Sequence, residues 1–311
     1  MKIGSLFTGI GGLELGVCDT VTSIAPYGND IEWIAETDGN ALKILEHSTM
    51  FHGVPNLGDV TKIDWTTVPD VDCITGGTPC QDFSHLGTRK GLEGEKSSLL
   101  FTFIEAVKAK KPDYVLWENV TGALTKGAYD VLLDALNEAD YSTSSVVLPA
   151  SSLGMPHKRA RIFVFAERTE RWVIPFNDQL VKVRPDTRLR CLPTPNRSRM
   201  DGRKPPRYSK RPSFYDLKQW SEDEVRASYG AAIERWERTL GRGAPPLAKP
   251  KGTINVEFVE WMMGFPKGWV TDAGDVSRTA KLAALGNACT PQQASEAFYY
   301  GLLQLTRERT N

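Results

Sequence analysis

The sequence predicts an α/β fold, a doubly wound and mostly parallel sheet with an antiparallel edge, followed by a small irregular segment rich in Arg and Pro. Three observations predict it. Apolar runs alternate with amphipathic helical patterns over residues 1–167. Three of the apolar runs end in polar or glycine-rich motifs, as strands do at the carboxyl edge of a parallel sheet. Two later runs stand too close together for a crossover helix and so form an antiparallel pair.

The elements follow in order. Lys2–Leu6 reads as a first strand, Phe7–Gly12 as a glycine turn, and a helix starts near Leu13. Ile31–Glu36 is a second strand, and Ala41, Leu42, Ile44 and Leu45 mark a helical stripe. Asp59, after Gly58, is expected at the end of a further short strand. Val71–Thr75 is a buried strand ahead of Cys80, Leu99–Lys110 a helix, and Tyr114–Trp117 a strand. Val131, Leu132, Ala135 and Leu136 mark another helix, and Tyr141–Leu148 with Arg161–Ala166 form the antiparallel pair. Beyond about residue 173 the rhythm breaks. Residues 221–240 read as one exposed helix and Ala244-Pro245-Pro246 as a linker. Order returns with Val256–Met263 and the apolar-faced helix Gln292–Leu305. The expected division is 1–172, 173–274 and 275–311, the last returning to the first.

Composition narrows the partners. Hydrophobic residues make up 41% of the 311 and charged ones 24%, the balance of a globular protein. No apolar run reaches the ~18 residues of a membrane span, and the first residues are too short in apolar core for a signal peptide. Five cysteines without a CxxC pair, and four scattered histidines, argue for a reducing cytoplasm and against a metal site. Lys and Arg balance Asp and Glu at 38 each. The balance hides an asymmetry: residues 168–252 hold 20 basic and 10 acidic residues, and 182–211 hold 11 against 2. A basic segment on an acidic body points to a polyphosphate partner.

The strand-end motifs carry the chemistry. Gly9, Gly11 and Gly12 let the backbone approach a ligand, and the helix start behind them offers free N–H groups. The turn is not a dinucleotide fingerprint, because Glu14 occupies the third glycine position and would oppose a pyrophosphate. Glu36 stands where an acidic side chain accepts from ribose hydroxyls. Asp59 stands where it can accept from an adenine amine. The order of turn, Glu36 and Asp59 suits an adenosine-type cofactor. Pro79-Cys80-Gln81 offers a thiol nucleophile, and Glu118-Asn119-Val120 an acid.

Together these motifs resemble those of the DNA cytosine-5 methyltransferase family. Phe7-Thr8-Gly9-Ile10-Gly11-Gly12 resembles its first motif, and Pro79-Cys80-Gln81 with Phe83-Ser84 its nucleophile motif. Glu118-Asn119-Val120 resembles its acid motif, and His157-Lys158-Arg159-Ala160-Arg161 its Gln-x-Arg-x-Arg motif. Gly264-Phe265-Pro266 and Gly286-Asn287-Ala288 resemble its ninth and tenth. Two departures stand out: His157 replaces glutamine, and Asn255–Trp261 replaces a Leu-Thr-x-x-Glu stretch.

The resemblance implies a Rossmann-like fold and methyl transfer from S-adenosylmethionine, with S-adenosylhomocysteine as product and no metal. The methyl acceptor is C5 of a cytosine flipped out of duplex DNA. Cys80 is implied as nucleophile and Glu118 as the acid at N3. Arg161 and Arg159 are implied at O2, and Asn119 or the Pro79 carbonyl at the exocyclic amine. Phe7, Gly9, Gly11, Gly12, Glu36, Asp59, Val60, Leu99, Asn287 and Ala288 are implied around the cofactor. Gln81 through Ser98, including Ser84, Arg89 and Lys90, are expected as a lid near phosphate. The basic segment lies where the family places its target-recognition domain. Arg188, Arg190, Arg197, Arg199, Arg203, Lys204, Arg207, Lys210 and Arg211 are its candidate DNA contacts. A monomer acting in a bacterial or phage-infected cytoplasm, with a restriction endonuclease as companion, completes the implied picture. An RNA substrate, or a lapsed relative that only binds DNA, are the alternatives.

Overall fold

In the computed structural model of the chain, residues 1–24, 28–79, 99–125, 127–169, 222–248 and 253–310 are described. Six strands form one sheet: β1 Lys2–Leu6, β2 Asp30–Ala35, β3 Cys73–Gly76, β4 Tyr114–Val120, β5 Tyr141–Pro149 and β6 Ala160–Arg168. Their order is β2-β1-β3-β4-β6-β5. The first four run parallel, while β6 lies antiparallel to both β4 and β5. The antiparallel strand is therefore one place in from the edge, and β5 forms the edge itself. That placement matters for the site. Because β6 runs backwards, its first residues lie beside the last residues of β4, with Arg161 opposite Val120.

The helices are α1 Gly12–Ile24, α2 Gly39–His47, α3 Leu99–Lys110, α4 Ala128–Asn137, α5 Glu222–Leu240, α6 Val256–Met262, α7 Arg278–Asn287 and α8 Pro291–Thr310. Strand side chains alternate between two cores, as a doubly wound sheet requires. Val115, Trp117, Ile162 and Val164 join Leu100, Phe103 and Leu132 on one face. Tyr114, Leu116, Phe163 and Phe165 join Val17, Phe298 and Leu302 on the other. On that second face α8 is anchored by aromatic edges, with Phe165 and Phe298 ring centroids 5.2 Å apart at 82°.

Three sequence expectations change. Asp59 ends no strand; residues 55–57 reach β2 through single contacts, and Asp59 caps a short 3-10 helix at Val60–Lys62. Helix α5 is not exposed all round, because Ile233 and Trp236 are buried and the Trp236 indole donates to the Trp261 carbonyl. Helix α7 went unseen, since its run of Thr, Ala, Lys and Leu carries little amphipathic contrast. A third core joins Trp236, Leu247, Phe258, Trp261 and Phe265 to Ile10, Ala41, Met155 and Leu285. Residues 256–274 thus pack on the sheet domain's own loops as well as on α5. Among the described residues no helix is long and apolar enough to cross a membrane.

Candidate active site

The carboxyl ends of β1, β2, β3 and β4 open onto a cleft of about 900 Å³. Its lining includes Phe7, Gly9, Gly12, Glu36, Asp59, Val60, Pro79, Leu99, Glu118, Asn119, Arg161, Asn287 and Ala288. Strand-end residues and residues more than 250 positions later in the chain thus share one cavity, at the edge where parallel sheets bind ligands. Gly11 and Arg159 stand outside the lining. Cys80, Gln81, Ser84, Arg89 and Lys90 lie outside the described residues, as do Arg188, Arg190, Arg197, Arg199, Arg203, Lys204, Arg207, Lys210 and Arg211.

The first wall is a turn held in left-handed backbone. Phe7, Gly9 and Gly11 have φ of 56°, 56° and 80°. Phe7 tolerates a conformation that ordinary side chains avoid because its N–H is fixed to the Ala35 carbonyl at 3.0 Å. At Gly12 a Cβ would stand 2.1 Å from the Cys289 carbonyl oxygen, so only glycine lets the chain's late segment close on this turn.

Glu36 braces the same turn. Its Oε2 accepts from the Gly9 N–H at 2.7 Å, and its Oε1 accepts from Thr37 and Asp38 N–H at 2.7 and 2.8 Å. A carboxylate has about four lone-pair directions. Three are filled, so Glu36 has room for one further donor while these bonds persist. Asp59 is committed too. It accepts from the Thr61 N–H and hydroxyl, and pairs with Lys62 at 3.0 Å. Those contacts, Lys62 first, hold its carboxyl down at about 2.

Glu14 differs from the expectation. It does not line the cleft but is fully buried behind the turn, where Ser5 and Thr75 hydroxyls donate to Oε1 at 2.7 and 2.6 Å. Burial pushes its carboxyl up, and the two hydroxyls only partly offset this.

A second wall holds a buried ion pair. Arg161 Nε stands 2.8 Å from Glu118 Oε1, with only 15% and 13% of the two side chains exposed. Burial raises the Glu118 carboxyl above its ordinary range; the nearby charges of Arg161 and Arg159 oppose that without cancelling it. Glu118 is therefore a group that holds a proton more readily than an ordinary carboxylate.

Asn119 lines the cleft with its side chain already engaged. Its amide donates to the Thr78 carbonyl at 2.8 Å and hydroxyl at 3.1 Å, and its oxygen accepts from the Val120 N–H. The Trp117 indole also donates to the Thr78 hydroxyl, at 3.0 Å. Asn119 thus fixes the Gly77–Pro79 segment that leads directly into Cys80. Thr78, which the sequence did not single out, is the hub of that brace. The remaining described cysteines are poor nucleophiles. Burial pushes the Cys18 thiol up to about 12 and the Cys73 and Cys289 thiols well above their usual value.

The comparisons agree with this geometry. A family model described as C-5 cytosine-specific DNA methylase matches residues 1–235. The chain belongs to the C-5 cytosine-specific DNA methylase family. Among the relatives, type II methyltransferase M.BsuFI of Bacillus subtilis is 35% identical over 162 residues, 51% of this chain and 37% of that protein. M.HhaI of Haemophilus parahaemolyticus is 34% identical over 173 residues, 55% of this chain and 50% of that protein. The chain therefore spans half or less of the length of these two relatives. M2.BsuMI of Bacillus subtilis strain 168 aligns more fully, at 29% over 316 residues, 93% of this chain and 72% of that one. Among solved structures, a putative DNA modification methyltransferase from an Escherichia coli prophage superposes with a TM-score of 0.59 at 19% identity, covering 99% of each chain.

Proposed function

We propose that the chain transfers a methyl group to C5 of cytosine in duplex DNA, using S-adenosylmethionine. The observation that carries this reading is the buried Glu118–Arg161 pair facing, across one cleft, the turn braced by Glu36. The family and the names of the relatives support the same substrate.

The cleft suits the cofactor. Phe7 and Leu99 offer apolar surface, Glu36 keeps one free acceptor direction, and α1 begins at the glycine turn, where a helix N-terminus favours a carboxylate. When bound, S-adenosylmethionine supplies an electrophilic methyl group to C5 of the base. The chain's residues make C5 able to accept it. The Cys80 sulfur adds to C6, which gives C5 enamine character. Glu118 holds a proton at N3 and so neutralises the charge that addition pushes into the ring. Arg161 keeps Glu118 oriented and offers donors to O2. Pro79, next to Cys80 and on the cleft wall, presents its carbonyl to the exocyclic amine. A base then takes the C5 proton, and the C6–S bond breaks to release the Cys80 thiolate. A cytosine in a duplex cannot reach this depth, so the base must be extruded. The basic residues of 182–211 supply the phosphate contacts that make extrusion affordable. The type II names of the relatives favour a restriction-modification setting.

Bisulfite sequencing of plasmid DNA from cells expressing the chain, beside a Cys80→Ala control, tests the proposal. Protected cytosines in one fixed context, absent from the control, are the expected result. Unprotected DNA despite soluble, cofactor-binding protein overturns it.

A further inference from the structure

Arg159 and Arg161 sit two residues apart at the start of β6, yet they turn to different partners. Arg161 faces the cleft and pairs with Glu118. Arg159 points to the late segment of the chain. Its Nη1 donates to the Gly286 carbonyl at 2.8 Å and its Nη2 to the Ala288 carbonyl at 2.5 Å. These carbonyls end α7, where a helix leaves its acceptors unpaired and favours a cation. A second tie runs beside the first. The Gln293 amide donates to the backbone carbonyls of Leu148 and Arg159, at 2.6 and 2.9 Å. Gly286, Asn287 and Ala288 are the cleft's late wall, next to Cys289, whose carbonyl closes on the turn at Gly12.

We propose that Arg159 is a positioning residue rather than a contact to the base: its forked guanidinium locks the Gly286–Ala288 wall to the strand that carries Arg161. The inference rests on the methyl-transfer reading of the cleft. Three features support it. Each terminal nitrogen donates an N–H to a backbone carbonyl, in a fork that only arginine presents. Arg159 does not line the cavity, whereas Arg161 does. Burial and the neighbouring Arg161 hold the Arg159 guanidinium down to about 10, still charged at neutral pH. Its Nε is buried without a partner among the described residues.

The consequence is a split between the two halves of the reaction. Arg159→Lys keeps a cation near Glu118 but reaches one carbonyl instead of two. Calorimetric binding of S-adenosylmethionine to the full chain and steady-state methylation of duplex DNA, on wild type and Arg159→Lys, read both halves. The expected result is a roughly tenfold weaker cofactor Kd and a matching rise in its KM, with kcat within about twofold. Hydrogen exchange of amides 284–290 should also speed up in the variant, with the thermal midpoint close to wild type. A kcat loss of about a hundredfold with Kd unchanged would place Arg159 on the base and overturn the proposal. Unchanged Kd, kcat and exchange would show the two bonds to be idle, and a lowered midpoint with uniform losses would show a merely structural role; either also overturns it. Wild-type protein that binds no S-adenosylmethionine would instead refute the methyl-transfer reading itself.

Discussion

The cleft's two walls solve opposite problems. The wall from residues 7–60 is built of backbone, and its carboxylates are already spent on it: Glu36 on three N–H groups, Asp59 on Thr61 and Lys62. The wall from β4 and β6 is built of side chains, and it keeps a carboxyl and a guanidinium out of water with each other for company. Backbone hydrogen bonds give shape cheaply, because each neutralises a group that must be paired anyway. A buried ion pair gives little stability, since desolvation consumes most of the attraction. What the burial gives here is a carboxyl raised above its ordinary range, with Arg161 opposing that rise only in part. One wall is organised for fit, the other for reactivity.

The sharpest way to break that contrast is Glu118→Gln. It should cut methyl transfer by ~10²–10⁴-fold, while S-adenosylmethionine binding stays within about twofold. If binding collapses with activity, the walls are not separable. Glu36→Gln should do the reverse. Its lost anionic acceptor should weaken cofactor binding by roughly tenfold or more, with a smaller effect on kcat at saturating cofactor.

The pH dependence sharpens the comparison. A carboxyl raised in the folded protein acts as an acid until the pH climbs through its raised value, so activity should fall on the alkaline side of that value. The same limb should be missing from whatever residual activity Glu118→Gln retains.

His157 is a smaller lever, on stability. Burial, with Arg159 beside it, lowers its imidazole to about 4. A lowered pKa means stability that is fully present above the unfolded value near 6.5 and lost as pH falls toward 4. His157→Gln should flatten that loss, worth on the order of 2–3 kcal/mol, in urea titrations between pH 7 and 4. The smallest effect is expected at Trp269, whose indole donates to the Ile10 carbonyl at 2.8 Å. Trp269→Phe removes one bond that ties the late segment to the glycine turn. It should cost about 1 kcal/mol by the same assay.

Much of this was legible beforehand because strand ends are punctuated. A glycine turn, a proline and an acid each closed an apolar run, and β3, α3 and β4 fell close to where the runs put them. Partnership was not legible. Nothing in the spacing says that Asn119 turns back to Thr78, that Arg159 turns away from Arg161, or that Glu14 is buried. Such choices depend on which backbone groups the fold leaves unpaired, and these exist only once the chain is assembled. Glu260 is the clearest case. It accepts from the N–H groups of Gly268, Val270 and Thr271, and so shapes the loop after Gly264-Phe265-Pro266 with no sequence signature.

The closure of Gly12 against the Cys289 carbonyl has a consequence for how the protein comes to life on the ribosome. Seven of the cleft's wall residues, Ala280 through Cys289, are translated some 160 positions after Glu118 and Asn119. Until that stretch has been made, the cleft lacks its late wall and one face of the sheet lacks its covering helix α8. Only when α7 and α8 emerge does Arg159 find its carbonyls and Gly12 its neighbour. Synthesis order thus makes the cleft one of the last parts of the protein that can be completed.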